Sequence, residues 1–182
     1  MVAAYHLVWT AYGWWLPNDP RGSSSHVIYS DVIAELGELH QGRKKVQPSS
    51  RVIHEFHEEA KSLLRHELRI FAEPEIDLLG IAFDEVVKSR RYTCYGCAIT
   101  PDHIHLVIRK HRDQAEEMIE QFQTAGRLVI LDGQYRESTH PVWGGPGWKV
   151  FLDSRQDIER TVVYVERNPE KARRNPANLE LR

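Results

Sequence analysis

The sequence predicts an α+β protein with a ferredoxin-like β-α-β-β-α-β antiparallel sheet, helices on one face and an added C-terminal helix. Three observations predict it. Strand-like runs alternate with helical periodicity, Pro101-Asp102 forms a turn between two such runs, and no apolar run approaches the ~20 residues of a membrane span. Of the 182 residues, 41% are hydrophobic, which suffices for one core. We expect a single domain over 1–182 with an insertion at about 24–70.

The N-terminal half begins with a strand and continues into an aromatic loop and an inserted helix. Residues 3–10 are rich in aromatic and β-branched types, which is typical of a strand. The loop that follows, 11–25, carries two tryptophans and an arginine among prolines, glycines and serines, an unusual content for a connector. Apolar residues at three- and four-residue steps predict a helix over 51–68, and a short strand is predicted over 68–71.

The C-terminal half supplies the remaining elements of the predicted fold. Periodicity and β-branched runs predict helices at 73–88 and 113–131 and strands at 92–100, 103–109 and 148–152. Asp153 or Ser154 is expected to cap a final helix. This helix should end near Arg167, because the residue before Pro169 is disfavoured in the helical region.

A His-x-His pattern lies on the predicted strand over 103–109. Side chains alternate along a strand, so His103, His105 and Val107 share one face, while three apolar residues face the helices. Two residues on one face lie roughly 6.5–7 Å apart, which lets two imidazoles converge on one metal ion. The alternative is a pair of half-exposed histidines at a strand end.

Tyr164 and Asn168 are neighbours on one flank of the apolar stripe of the final helix. If that stripe packs on the sheet, the pair reaches the rim of a site there. A phenol beside a metal-activated phosphate can attack phosphorus and become a covalent ester. An amide oxygen is a hard ligand that complements two imidazoles. The alternative is an interfacial tyrosine and an asparagine that caps the helix end.

These motifs together resemble a known family. Pro101-Asp102-His103-Ile104-His105, Tyr164-Val165-Glu166-Arg167-Asn168-Pro169 and His6-Leu7-Val8-Trp9-Thr10 are similar to motifs of single-tyrosine HUH transposases, and most of all to those of the REP-associated tyrosine transposases. The resemblance spans about residues 3–175. The long polar 24–70 segment and the slightly acidic balance depart from the family pattern.

The resemblance implies an enzyme that nicks and rejoins single-stranded DNA, often at a hairpin, by transesterification through a 5′-phosphotyrosine intermediate. On the matching positions it implies Tyr164 as the nucleophile on a catalytic C-terminal helix. It implies His103, His105 and Asn168 as ligands of Mg²⁺ or Mn²⁺. The implied partner is single-stranded or hairpin DNA, and the implied state is a monomer or a homodimer.

The charge distribution leaves room for such a partner. With 24 Lys and Arg against 26 Asp and Glu, the net charge of −2 excludes a chain-wide basic coat. A basic excess nevertheless surrounds both motifs, with six bases against two acids in 85–112 and seven against five in 155–182. Basic groups and aromatic platforms bind single strands. The candidate DNA-binding residues are Trp14, Trp15, Arg21, Arg90, Arg91, Arg109, Lys149 and Arg167.

Each of those candidates also has a structural explanation: a charged residue can simply face solvent, and an aromatic ring can close the end of a sheet. Trp148, at the start of the last predicted strand, is not among the candidates, because we expect it to close the sheet end. Two other functions stay open beside the strand transferase. One is a non-cleaving, domesticated module that binds hairpin or single-stranded DNA, and the other is a metal-dependent hydrolase that uses water as nucleophile. A stable covalent adduct with DNA separates the first function from these two.

The remaining cysteines and histidines carry weaker expectations. Cys94 and Cys97 cannot build a disulfide scaffold or a four-ligand zinc site, so both are expected in or near the core. His6 is a hypothetical support for the metal site from the first strand. Histidines of the inserted helix are expected at the surface: His54, His57 and His66. No signal peptide is recognisable, so we expect a cytoplasmic protein without membrane contact.

Overall fold

The computed structural model describes residues 1–23, 25–28, 30–42, 44–132 and 139–168. In chain order its elements are β1 (Ala4–Thr10), α1 (Asp31–Ala34), α2 (Ser50–Leu63), α3 (Glu73–Arg90), β2 (Cys94–Ile99), β3 (His103–Arg109), α4 (Ala115–Asp132), β4 (Trp148–Leu152) and α5 (Arg155–Glu166). They cluster into two compact units. Met1–Ala11 and the described residues from Ile70 onward form the first, and Tyr12–Arg69 forms the second.

The first unit contains a four-stranded antiparallel sheet in the order β2-β3-β1-β4. This is the strand order of the ferredoxin-like arrangement. The central strands are β1 and β3, and each outer strand follows a helix in the chain: β2 follows α3, and β4 follows α4. On one face the Trp9 ring packs 5.8 Å from Phe83 of α3 and 6.2 Å from Phe122 of α4, centroid to centroid. The predicted fold class is therefore confirmed.

The opposite face of the sheet is covered in part by α5. Buried Val107 and Leu152 from the sheet and Val165 from α5 form one apolar cluster. The helix side chains Ile158 and Val162 pack against it. The predicted apolar stripe of the final helix thus lies on the sheet, and its burial fixes which flank of α5 borders the exposed remainder of that face.

The second unit contains α1 and α2 and is held together by loop contacts. The Trp14 side chain is buried and donates from Nε1 to the carbonyl of Arg69, 2.8 Å away. Asp19 is fully buried and pairs with Arg21 through two of its nitrogens, at 2.9 and 2.6 Å. His57 of α2 lies 3.2 Å from Arg21 Nη2. The compact unit begins at Tyr12, well before the predicted start of the insertion.

Three local predictions are wrong. Residues 68–71 form no strand, because the backbone N–H of Arg69 donates to Tyr12 while that of Phe71 donates to Pro101. Cys97 is exposed rather than near the core, since it lies on the edge strand β2. His57 is buried, because it packs beside the Asp19–Arg21 pair instead of facing solvent. None of the described helices is long and apolar enough to cross a membrane.

Candidate active site

The pairing of β1 with β3 places three histidines on one sheet face. In this register Thr10 lies opposite His103, and Val8 lies opposite His105. His6 is one strand position further along the same face and shares a hydrogen bond of 2.9 Å, from its Nε2, with Nδ1 of His105. The sequence suggested His6 as a support for the His-x-His pair, and the structure places its ring in direct contact with His105. This contact occupies Nδ1 of His105, so Nε2 is the nitrogen of that ring that His6 does not contact.

A buried carboxylate orients the imidazole of His103. Asp102 Oδ1 lies 2.7 Å from His103 Nδ1, and Thr100 Oγ1 lies within hydrogen-bond distance of both groups, at 3.0 and 2.9 Å. A carboxylate on one imidazole nitrogen fixes the ring and raises the basicity of the other nitrogen. The other nitrogen, Nε2 of His103, lies 3.3 Å from Oδ1 of Asn168.

Helix α5 brings Tyr164 and Asn168 to these histidines. Ser154 accepts a hydrogen bond from the backbone N–H of Asp157 at 3.1 Å, so it is the N-cap that the sequence predicted. Near the other end of the helix, the Tyr164 ring packs edge-on at 5.7 Å from His105 and 6.2 Å from His6. The Tyr164 side chain is 41% exposed, so a substrate can approach it from solvent.

Burial keeps two of the histidines uncharged. Desolvation lowers the pKa of His6 to about 4. Desolvation, followed by the nearby rings of His103 and His6, lowers the pKa of His105 to about 2. Burial alone would raise the pKa of Asp102, but its contacts with His103 and Thr100 outweigh this and lower it. Neutral imidazoles and an ionised carboxylate are the protonation states that metal binding requires.

The donor set at this site fits a small divalent cation. His103 Nε2 lies 3.3 Å from Asn168 Oδ1, and imidazole nitrogens and amide oxygens are both donors that divalent cations accept. His103 Nε2, His105 Nε2 and Asn168 Oδ1 would hold it, with their protein-side partners already in place. Among the described residues, no group of three or more His, Cys, Asp and Glu side chains is arranged to hold a metal ion.

The candidate DNA-binding residues of the second unit differ in exposure. Trp14 is buried, so its ring packs inside this unit rather than facing solvent, and its role in DNA binding stays a prediction. Trp15 is 41% exposed, and the Arg21 guanidinium carbon lies 4.9 Å from its ring centre. Arg21 is largely covered by its pairing with Asp19. Trp15 has a positive φ of 55°, a conformation that bulky residues seldom adopt.

The candidates of the first unit are not gathered at the histidines. Arg90 and Arg91 end α3, and Arg109 ends β3, roughly 20 Å along the strand from His103. Lys149 lies on the other sheet face, where it pairs with Glu116 of α4. Only exposed Arg167, next to Asn168 in the chain, lies close to the site.

Two residues of the site were not identified from the sequence alone. Asp102 and Thr100 were interpreted only as ends of a strand and a turn, yet both contact His103 Nδ1. The available signal was an acidic residue directly before the first histidine, on a tight hairpin. A carboxylate there is well placed to reach back to the neighbouring imidazole.

Comparisons with known proteins give distant structural neighbours only. No protein-family model matches the chain, and no curated protein matches it in sequence. A crystal structure described as a "putative transposase" from Deinococcus radiodurans has 9% identity and a TM-score of 0.47, covering 91% of this chain and 90% of its own. A REP-associated tyrosine transposase bound to a REP hairpin has 11% identity and a TM-score of 0.49, covering 93% and 68%. Similarity this distant leaves function to the chemistry of the site.

Proposed function

We propose that this protein is a metal-dependent, single-tyrosine DNA strand transferase that acts as a transposase on single-stranded or hairpin DNA. The observation that carries the proposal is the position of the Tyr164 ring, 5.7 Å from His105 of the same chain. An exposed phenol beside two imidazoles and an amide oxygen is an arrangement suited to covalent phosphoryl transfer. The same-chain contact supports attack in cis.

In the proposed reaction the phenolic oxygen of Tyr164 forms a bond to phosphorus, and the bond between phosphorus and the 3′ oxygen breaks. The phenol gives up one proton and the departing 3′ oxygen gains one, so the step is balanced and consumes no ATP. Mg²⁺ or Mn²⁺, when bound, polarises the phosphoryl oxygens and stabilises the charge that develops on them. The reverse attack by a 3′ hydroxyl rejoins the strand.

His103, His105 and Asn168 are the proposed ligands, and the remaining contacts hold them ready. Asp102 sets the His103 ring and His6 sets the His105 ring, which reduces the reorganisation needed at the moment of reaction. A water nucleophile would leave the position of Tyr164 without a role. A DNA-binding module that does not cleave would likewise have no use for a phenol held against these rings.

A covalent-transfer gel tests the proposal. Wild-type protein is incubated with Mn²⁺ and 3′-labelled single-stranded and hairpin oligonucleotides drawn from the DNA flanking its own gene, then resolved under denaturing conditions. We expect a shifted protein–DNA band that EDTA abolishes and that Tyr164→Phe loses by more than 100-fold, because phenylalanine has no oxygen to attack phosphorus.

The matched control is Tyr95→Phe, the same substitution at a tyrosine of β2 with nearly equal exposure, 40%. This variant should form the adduct at the wild-type level. An adduct that persists in Tyr164→Phe, or one that is equally lost in Tyr95→Phe, would contradict Tyr164 as the nucleophile. Cleavage without any adduct would indicate the hydrolase instead.

A further inference from the structure

The sheet face that carries the histidines continues, past the edge of α5, onto the strand β4. Val8 lies opposite His105 on one side and opposite Trp148 on the other. His105, Val8 and Trp148 therefore form a row across three strands, with their side chains on the same face. Trp148 is about 10 Å from His105 by strand spacing.

The end of this row is open. Trp148 is 45% exposed, and Val150, the next residue on the same face, is 41% exposed. Trp148 does not close the sheet end, as the sequence analysis expected, because that role belongs to Trp143. The Trp143 ring packs 6.1 Å from Trp9 and 5.4 Å from Phe71, and its Nε1 donates to the carbonyl of Gln123.

The position of Trp148 is set by the backbone before it. Gly147 has a φ of +84°, and a Cβ built there would lie 2.9 Å from the carbonyl oxygen of Val8. The chain thus enters β4 in close contact with β1. An indole held on a rigid strand loses little conformational freedom when a flat ligand binds to it.

We propose that Trp148 is a stacking platform for a base next to the phosphate that reacts with Tyr164. The proposal rests on the function proposed above and names a substrate-positioning site for it. When a phosphate of a single strand lies at the histidines, the open part of this face offers a surface along which the adjoining nucleotides can lie. On that face Trp148 is the exposed aromatic ring in register with His105, and aromatic rings bind the bases of single strands without regard to sequence.

The test measures binding of two fluorescein-labelled probes by anisotropy, a 20-nucleotide oligo(dT) and an abasic strand of the same length and charge. Stacking on one base is worth about 1–3 kcal/mol, so Trp148→Ala should weaken oligo(dT) binding by about 5- to 150-fold. Trp148→Phe should retain most of the affinity. On the abasic strand, wild type and Trp148→Ala should bind equally.

Phe151→Ala is the matched control, because Phe151 is also an exposed aromatic on β4 but lies on the opposite face, against Tyr5. It should bind oligo(dT) as wild type does. Equal loss in both alanine variants, or an equal effect of Trp148→Ala on both probes, would overturn the platform. A changed oligomeric state of Trp148→Ala in sedimentation, with unchanged DNA binding, would assign the surface to a protein contact and also overturn it.

These outcomes are independent of those for catalysis. If Trp148→Ala binds oligo(dT) normally while wild type forms the Tyr164 adduct, the platform is wrong and the proposed function stands. If no adduct forms but Trp148→Ala selectively loses affinity for oligo(dT), the stacking site stands and the proposed chemistry is wrong.

Discussion

At the scale of single residues, His103 and His105 of the candidate site each have one ring nitrogen in contact with another side chain of the protein. His103 is held by Asp102 at 2.7 Å, and His105 is held by His6 at 2.9 Å. Both contacts use one ring nitrogen and direct the other ring nitrogen away from the supporting group. The proposed ligands would therefore be oriented before a cation or a phosphate arrives.

Asp102→Asn tests this orientation. Asparagine keeps the size of the side chain but not the charge that favours one tautomer of His103, so we expect a 10- to 100-fold loss in Mn²⁺ affinity and in strand transfer. Mn²⁺ affinity is measured by isothermal titration calorimetry. Asp84→Asn, which removes a surface carboxylate paired with Lys88, should leave it unchanged. An unchanged Mn²⁺ affinity in Asp102→Asn would argue against the orienting role.

At the scale of elements, the strand and helix patterns were readable because each element buries one face. The period-two alternation of β3 placed His103 and His105 on one face of the strand and the apolar residues that face α3 and α4 on the other face. The stripe of α5 likewise predicted the flank on which Tyr164 lies. Strand order and register could not be read in this way, because they depend on pairings between residues far apart in the chain.

The entry into β4 offers a test at this scale. Gly147→Ala should destabilise the protein by about 1–3 kcal/mol more than Gly42→Ala, as judged by urea unfolding. Both glycines have similar positive φ angles, +84° and +73°, so both variants suffer the same backbone strain. Only at Gly147 would the added methyl meet backbone, since nothing lies within 4 Å of a Cβ at Gly42. Equal losses would show that the close approach of β4 to β1 is unimportant.

At the scale of the whole molecule, the chain divides into a sheet unit that contains the candidate site and a second unit, Tyr12–Arg69. The sequence indicated an insertion at about 24–70 from its polar composition. The compact unit is larger because the apparent connector before it contributes Trp14, Asp19 and Arg21 to its interior. Aromatic and charged loop residues pack there against α2, a contact that no local pattern encodes.

The stability of the molecule should fall as the pH drops from 7 to 5. The unfolded chain protonates His6 and His105 near pH 6.5, whereas burial keeps both neutral in the fold down to about pH 4 and pH 2. The unfolded state thus binds more protons in this window, and each histidine removes on the order of 2 kcal/mol of unfolding free energy. Urea unfolding at pH 7 and pH 5 measures the change.

His6→Asn should reduce this pH dependence, because one of the two buried titrating groups is gone. His54→Asn, at an exposed histidine of α2, should leave it as in the wild type. A pH dependence that His6→Asn does not alter would contradict a neutral, buried imidazole at position 6.

The sequence alone determined the fold class, the boundaries of most elements and the shared faces of His103 with His105 and of Tyr164 with Asn168. These follow from local periodicity, which the chain carries within a few consecutive turns or strand residues. The folded chain was needed to show that these pairs meet, that Asp102 and His6 contact the two histidines, that Trp14 is buried and that Trp148 is exposed. Those facts arise from strand register and from packing between distant segments, and no short stretch of sequence contains that information.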